Sequence, residues 1–335
     1  MSKESVWIRC DMKALDLEQW QTNEISFYLA LEQYVLSNLD DDVFFLWDIP
    51  PSVVIGRNQL LQAEVNVAYA KEEGVPIYRR PSGGGAIYAD DGCFMYSFVT
   101  KEKRKEQLMQ YFVQKMIVSL KKLGVDASFS GRNDLMFANK KFSGTAILQK
   151  QEGSIVHGTF LYDTDIEKLV RILQVDPLKI ISKGIQSVKE RVINLKPYLD
   201  KTKKEVMHFL IHDIGDQITY LSPPEWDKVK EIEKKFASKE WIEDQNPPYT
   251  VHRKMRFPCG MLDIYLDIKN KKIKSLQIKG DYFEMNPIET WVSYFQQIPF
   301  TKQDFSNVLK NHPVDRVIQD AKNEEIIQLI WEETE

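Results

Sequence analysis

The sequence predicts a mixed α/β fold in two domains, and three observations predict it. Segments whose apolar residues recur at helical spacing alternate with short apolar runs of strand length up to Trp241. After a polar stretch carrying Pro247-Pro248, a strict alternation of Leu262, Ile264, Leu266 and Ile268 opens a hairpin. The 335 residues also exceed what one typical hydrophobic core accommodates. The boundary is expected in the polar stretch Trp241–Tyr249, giving a first domain over 1–246 and a second over 250–335.

The first helix is expected from about Glu24 to Leu39, where Ile25, Tyr28, Leu29, Val35, Leu36 and Leu39 keep near-helical spacing. Asp40-Asp41-Asp42 ends it, and two apolar runs, Val43–Trp47 and Ser52–Gly56, read as buried strands either side of Pro50-Pro51. A short helix over Tyr69–Glu73 is closed by Gly74. A strand then leads into a glycine-rich loop, and Ala86–Tyr88 and Met95–Val99 continue the sheet. The longest helix is expected over Lys103–Leu123, with Gly124 as its stop. A hairpin follows, from Leu135–Phe137 through a turn at Ala138-Asn139-Lys140 to Lys141–Leu148, and Ser154–Tyr162 is a further strand. Thr202 and Glu205 have capping-box spacing ahead of a helix carrying Val206, Phe209 and Leu210. In the second domain Asn270-Lys271 turns the chain towards a strand with Ile273, Leu276 and Ile278, and helices fill the remainder.

Composition narrows the function. A net charge of −4 gives no support for nucleic-acid binding. The N-terminal residues lack the apolar core of a signal peptide, and no apolar run is long enough to span a membrane. Cys10, Cys93 and Cys259 are few and far apart, as in a reducing cytoplasm.

The most informative stretch is Arg79-Arg80-Pro81-Ser82-Gly83-Gly84-Gly85-Ala86-Ile87-Tyr88. Glycine backbones without Cβ atoms let N–H groups converge on an anion, and arginine adds forked charge matched to phosphate or carboxylate. Read from residue types alone, this suits a phosphate- and acyl-bearing ligand; a plain glycine turn with solvated arginines is the competing reading. A second signal is Gly131-Arg132-Asn133-Asp134 followed by Lys141-Phe142-Ser143-Gly144-Thr145-Ala146. A hairpin brings Asp134 and Lys141 together, either as a cross-strand ion pair or as a carboxylate for Mg2+ beside a cation for an α-phosphate. The third is His157-Gly158-Thr159, where a glycine after histidine in a strand suggests close approach of a ligand, against the alternative of a hydrogen-bonded core histidine. His208 and His212 have the spacing of some zinc helices but lack the other ligands of such sites.

In this order the elements resemble the lipoate–protein ligase family, of the A type with a C-terminal accessory domain, over nearly the whole chain. Arg79–Ala86, Gly131–Asp134, Lys141–Ala146 and His157–Thr159 match its motifs. Lys183–Val188, Arg191–Leu195, Ile55–Gln59 and Gly280–Phe283 look like further elements. The resemblance implies a biotin/lipoate-ligase-like catalytic domain of mixed and antiparallel sheets flanked by helices, with a small α+β accessory domain behind it. It implies a two-step acyl transfer: lipoate and ATP give lipoyl-adenylate, which acylates one lysine of a carrier. The carrier would be the H protein of glycine cleavage or an H-like protein, or the lipoyl domain of a 2-oxoacid dehydrogenase complex.

By the same resemblance Lys141 is the catalytic lysine, with Asp134 holding Mg2+ or orienting the incoming lysine. Arg80, Gly85, Ala86, Ile87, Tyr88 and Lys141 would bind ATP. Arg80, Ser82, Gly83, Gly84, Lys141, His157 and Gly158 would bind lipoate. Two departures stand out: Ala89 and Cys93 replace a family histidine and asparagine. They keep open a catalytically weakened acyl-carrier-binding protein, or an ATP-independent lipoyl or octanoyl transferase using a cysteine thioester.

Overall fold

The computed structural model of the protein describes residues 12–17, 24–103, 105–130, 133–173, 188–243 and 249–331. Gly131-Arg132, Lys183–Ser187 and Pro247-Pro248 lie outside them.

An eight-stranded sheet organises the larger part. Its strands are β1 (Met12–Leu15), β2 (Asp42–Trp47), β6 (Cys93–Thr100), β7 (Ser128–Ser130), β8 (Asp134–Phe137), β9 (Lys140–Lys150), β10 (Gly153–Leu161) and β11 (Gln217–Thr219). They run in the order β11-β1-β2-β6-β10-β9-β8-β7. The pairings of β1 with β11 and β2 are parallel and the others antiparallel. Consecutive hairpins β8–β9 and β9–β10 supply three of its eight strands. Ala138 and Asn139 both take positive φ (49° and 60°), the geometry a two-residue hairpin turn needs to match strand twist.

Each face of this sheet is covered because its strands are apolar on both sides. On one face pack α4 (Lys105–Lys122) and α6 (Lys203–Ile214), burying Phe112, Met116, Leu120, Val206 and Leu210 with Phe98 and Phe160. The expected capping box starts α6: the Thr202 side chain accepts from Glu205 N, and the Glu205 carboxylate accepts from Thr202 N. On the other face lie α1 (Ile25–Asn38) and α7 (Pro223–Phe236), around Phe27, Tyr28, Leu31, Phe45, Trp47 and Met95.

A second sheet sets the glycine loop. It has three strands, β3 (Ser52–Ile55), β4 (Ile77–Arg79) and β5 (Ile87–Ala89), in the order β4-β3-β5. The loop is the connection from β4 to β5. The short helices α2 (Leu61–Glu64) and α3 (Val67–Glu72) and the helix α5 (Ile166–Leu173) complete this small core. The C-terminal part has its own core, where the antiparallel sheet of β12 (Val251–Phe257), β13 (Gly260–Lys269) and β14 (Lys272–Lys279) packs against α9 (Ile288–Ser293), α10 (Lys302–Asn311) and α11 (Asn323–Trp331). Asn270 and Lys271 form its positive-φ turn. No helix among the described residues is long and apolar enough to cross a membrane.

The long helix runs two residues inside its expected start, and strands β1, β7, β11 and β12 and helices α5 and α7 were not anticipated. Strands of three or four residues contain too little period to read. Strand β12 is half or fully exposed along its length, so apolar alternation does not mark it. For α7 a signal existed: Ser222 with Glu225 makes a capping box, with proline in the first turn.

Candidate functional site

A cavity of about 140 Å3 opens where the glycine loop meets the ends of β9 and β10. Arg80, Gly84, Gly85, Ala86 and Ile87 form one wall, and Lys141, Gly144, Ala146, His157 and Gly158 another, with Met95 at its base. The three sequence signals therefore converge, although 77 residues separate Arg80 from His157. Register explains the second wall. His157 pairs with Ala146 on one side and Ser97 on the other, so the strands present one face in step.

Lys141 and Asp134 stand at the edge of this cavity. Lys141 Nζ is 2.6 Å from Asp134 Oδ1, and each side chain is about one-third exposed. They meet across the irregular part of the β8–β9 ladder, where Met136 pairs with Lys141 but Leu135 with Ser143. Gly144 leaves the room for this lysine, since a Cβ there would sit 2.8 Å from Nζ. The pair is thus both an ion pair and part of a pocket mouth. Among the described residues no group of three or more His, Cys, Asp or Glu could hold a metal by itself. Any Mg2+ here would take one carboxylate from Asp134 and its other ligands from phosphate and water, which is how Mg2+ is usually held at nucleotides.

The two arginines do more than offer charge. Arg79 Nη1 donates to the carbonyls of Gly56, Arg57 and Gln59, and Nε to that of Ile242. Arg80 Nη2 donates to Gly83 O and Gly85 O, and Nη1 to Val54 O. Burial pulls the Arg80 guanidinium down to about 10, with the Glu32 carboxylate acting the other way. Arg80 thus holds the glycine loop's backbone, while Arg79 holds the segment after β3 and the carbonyl of Ile242.

Behind the cavity runs a buried hydrogen-bond chain. Arg80 Nε lies 3.2 Å from Ser82 Oγ, Ser82 Oγ 2.7 Å from His157 Nε2, and His157 Nδ1 2.8 Å from Glu32 Oε1. Ser97 Oγ donates to the same Glu32 oxygen (2.5 Å), and Trp47 Nε1 donates to Ser97 Oγ (2.9 Å). A carboxylate only accepts, so Ser97 Oγ and His157 Nδ1 are the donors to Glu32, while Ser82 Oγ accepts from Arg80 and shares a hydrogen bond with Nε2. Ser82, His157 and Glu32 are at most 2% exposed.

The glycines divide by what surrounds them. A Cβ on Gly83 would meet Tyr282 O at 2.4 Å, and one on Gly84 would meet the Phe283 ring and Arg80 at 3.0–3.1 Å. Only Gly85 of the three faces open space. Gly84 N donates to Tyr282 O (3.2 Å), Gly280 N donates to Asn58 O (2.8 Å), and Arg57 pairs with Glu289 (2.6 Å). The C-terminal part thus sits on the glycine loop, and Phe283 lines the cavity. Gly158 lines it too, but the close neighbour of its bare Cα is the Tyr96 hydroxyl, 2.4 Å from a Cβ placed there. The bare Cα of Gly158 thus also makes room for packing within the protein.

Other expected residues fall elsewhere. Ser82 and Gly83 lie behind the wall, and the Tyr88 side chain is buried in the small core with Val53 and Ile55. Cys93 is wholly buried in the apolar core, and burial pushes its thiol up to about 12, so it has none of the properties of an activated thiolate. His208 and His212 pack ring to ring on α6, 4.3 Å apart. Sequence reasoning did not find Glu32, Trp47, Met95 or Ser97. Glu32 carried a signal: it is the single charged residue in Ile25–Leu36.

The chain is similar to known proteins. The family model described as "Lipoyl protein ligase A/B catalytic domain" matches residues 24–215, and "Bacterial lipoate protein ligase C-terminus" matches 246–330. Lipoate-protein ligase LplJ of Bacillus subtilis is 30% identical over 330 residues, 95% of this chain and 100% of that protein. The structure of P. falciparum LipL1 in complex with lipoate superposes with a TM-score of 0.77 at 22% identity, covering 95% of this chain and 96% of the other. A lipoate-protein ligase A bound with ATP gives 0.61 at 25% identity, covering 70% and 98%. Two adjoining family matches that together account for most of the chain, a full-length relative, and a shared mixed α/β fold have one reading: the chain belongs to the lipoate–protein ligase family and is an enzyme of that class.

Proposed function

We propose that this ligase uses ATP to attach lipoate to one lysine of a carrier protein domain, through lipoyl-adenylate. The observation that carries the reading is the Lys141–Asp134 pair at the mouth of a cavity walled by the glycine loop. In the first step a lipoate carboxylate oxygen attacks the α-phosphorus, an O–P bond forms, and the bond to the β-phosphate bridging oxygen breaks, releasing pyrophosphate. Lys141 Nζ is placed to neutralise charge gathered on the α-phosphate and the acyl oxygen. The Gly85 backbone, with nothing packed over it, gives the nucleotide room to pass. Asp134 fits as the one protein carboxylate for Mg2+, which when bound would offset charge on the phosphates.

In the second step the carrier's lysine amine attacks the acyl carbonyl. The C–N bond forms, the C–O bond to AMP breaks, and the amine loses a proton. Asp134, one-third exposed and paired with Lys141, is the carboxylate that would receive it. His157, held by Ser82 and Glu32, fixes a polar wall beside the apolar contacts of Met95 and Ala146, where the acyl chain would lie. The division into domains over 1–246 and 250–335 belongs to the same proposal. The second domain, docked on Gly84 through Tyr282 and Phe283, would shift between steps, because adenylation must exclude water and transfer must admit a protein.

The experiment is intact-mass analysis of both carrier types after incubation with enzyme, lipoate and ATP, with pyrophosphate measured in parallel. A lipoyl mass gain that needs ATP supports the reading. Gain without ATP would support the transferase reading, which the buried Cys93 thiol disfavours.

A further inference from the structure

Beside the catalytic hairpin runs a basic strip on an acidic chain. Residues 188–204 hold six lysines and arginines against two acidic residues, while the whole chain carries −4; Lys189, Lys196 and Lys203 are paired with Glu167, Asp163 and Asp48. The strip is fastened to the hairpin at three places. Ile193 N donates to Lys141 O (2.9 Å), Lys140 Nζ donates to Lys189 O (3.0 Å), and the Tyr198 ring meets Phe137 edge-on at 4.8 Å. Tyr198 closes a 3-10 turn, Lys196–Tyr198, and is 48% exposed.

Two features of the strip make little sense for stability alone. A large aromatic side chain stands half in water against Phe137, beside the turn of the hairpin that carries Lys141. And Lys201 and Lys204 flank the N-terminus of α6, where the helix dipole disfavours cations. Local choices that oppose stability without an evident structural return point to function. The second half-reaction supplies one, since a folded carrier must rest against this mouth while its lysine enters. Aromatic anchors ringed by charge are what such contacts use for grip and for steering.

We propose that Tyr198 and Phe137, with Lys201 and Lys204, form the docking surface for the carrier domain, which meets it with an acidic face around its target lysine. This rests on the ligase reading above. None of Tyr198, Lys201 or Lys204 lines the cavity, so the first half-reaction should not need them.

The test compares Tyr198→Ala and the pair Lys201→Glu/Lys204→Glu with the parent enzyme, all checked for folding by circular dichroism. Lipoate-dependent pyrophosphate release without carrier should stay within about two-fold of the parent, while KM for an apo carrier domain rises about ten-fold or more. The charge pair should also lose most of the salt dependence of carrier association. A carrier KM within two-fold of the parent in both variants would overturn the proposal. Should the parent release no pyrophosphate, the ligase reading fails, and calorimetric binding of the carrier to parent and variants still decides the docking surface. Self-association abolished by Tyr198→Ala with unchanged carrier binding would assign the patch to a second copy and overturn it as well.

Discussion

His157 Nδ1 lies 2.8 Å from Glu32 Oε1, and both side chains are removed from solvent. The contact joins helix α1 to strand β10 through the core, and it orients the imidazole whose other nitrogen meets Ser82. A buried carboxylate accepting from His157 and Ser97 rigidifies the wall only while both donors keep it. Glu32→Ala leaves two buried donors without an acceptor and should cost about 2–4 kcal/mol. Glu32→Gln, which retains an acceptor, should cost less and still weaken lipoate binding. Thermal unfolding and lipoate calorimetry on both variants check this; equal stability of Glu32→Ala and parent would show the chain of bonds to be incidental.

Lys141→Ala should leave the fold intact and remove adenylation. Its ion pair with Asp134 is one-third exposed, so its loss should cost less than about 1 kcal/mol of stability. Loss of a donor placed at developing charge should slow pyrophosphate release by about 10²–10³-fold. Release near the parent rate would take Lys141 out of the mechanism.

Gly84 and Gly85 should respond differently to the same added methyl group. Gly84 has a φ of +89° and sits against Phe283 and Arg80. Gly84→Ala should therefore cost about 1–2 kcal/mol and disturb the C-terminal part; the larger Gly84→Val should do so more severely. Gly85→Ala meets no atom within 4 Å and should unfold within about 0.5 kcal/mol of the parent while binding ATP less tightly. Unchanged ATP affinity in Gly85→Ala would mean that the nucleotide does not pass this loop.

Cys93→Ser should keep ATP-dependent ligation. Burial holds the thiol near 12, so iodoacetamide at pH 8 should modify Cys93 only after unfolding. A lipoyl thioester trapped on Cys93 would contradict this.

Stability should fall as pH rises towards neutrality, through Glu64. Burial and the Asp281 carboxylate push it from 4.5 up to about 7, with Lys254 and Arg256 opposing and Asp263 adding to the rise. Between those values the folded chain holds a proton that the unfolded chain has lost, so stability declines across that window and the full penalty is present above it. Glu64→Gln should thus stabilise at pH 8, by on the order of 1–2 kcal/mol after solvent screening, and do nothing at pH 4. Equal melting shifts at both pH values would show an ordinary surface glutamate.

The sequence by itself determined the elements whose period is long and whose stops are chemical. Helices α1 and α4, the β8–β9 and β13–β14 hairpins and the capping box of α6 were legible because side-chain spacing and turn residues act over a few positions. Its ordered motifs also determined the family, since Arg79–Ala86, Lys141–Ala146 and His157–Thr159 keep their residue types in series. Only the tertiary structure decided which of those residues face the cavity. Packing across the irregular β8–β9 ladder sets Lys141 against Asp134, and the in-step rows of β6, β9 and β10 bring His157 to Ser97 and, through α1, to Glu32. It also gave these glycines a second use: those at 83 and 84 make room for Tyr282 and Phe283, and Gly158 for Tyr96. The physical reason is range. Helical period and turn chemistry are local, whereas a buried hydrogen bond between residues 125 positions apart exists only once two elements have packed and no water is left to satisfy either partner.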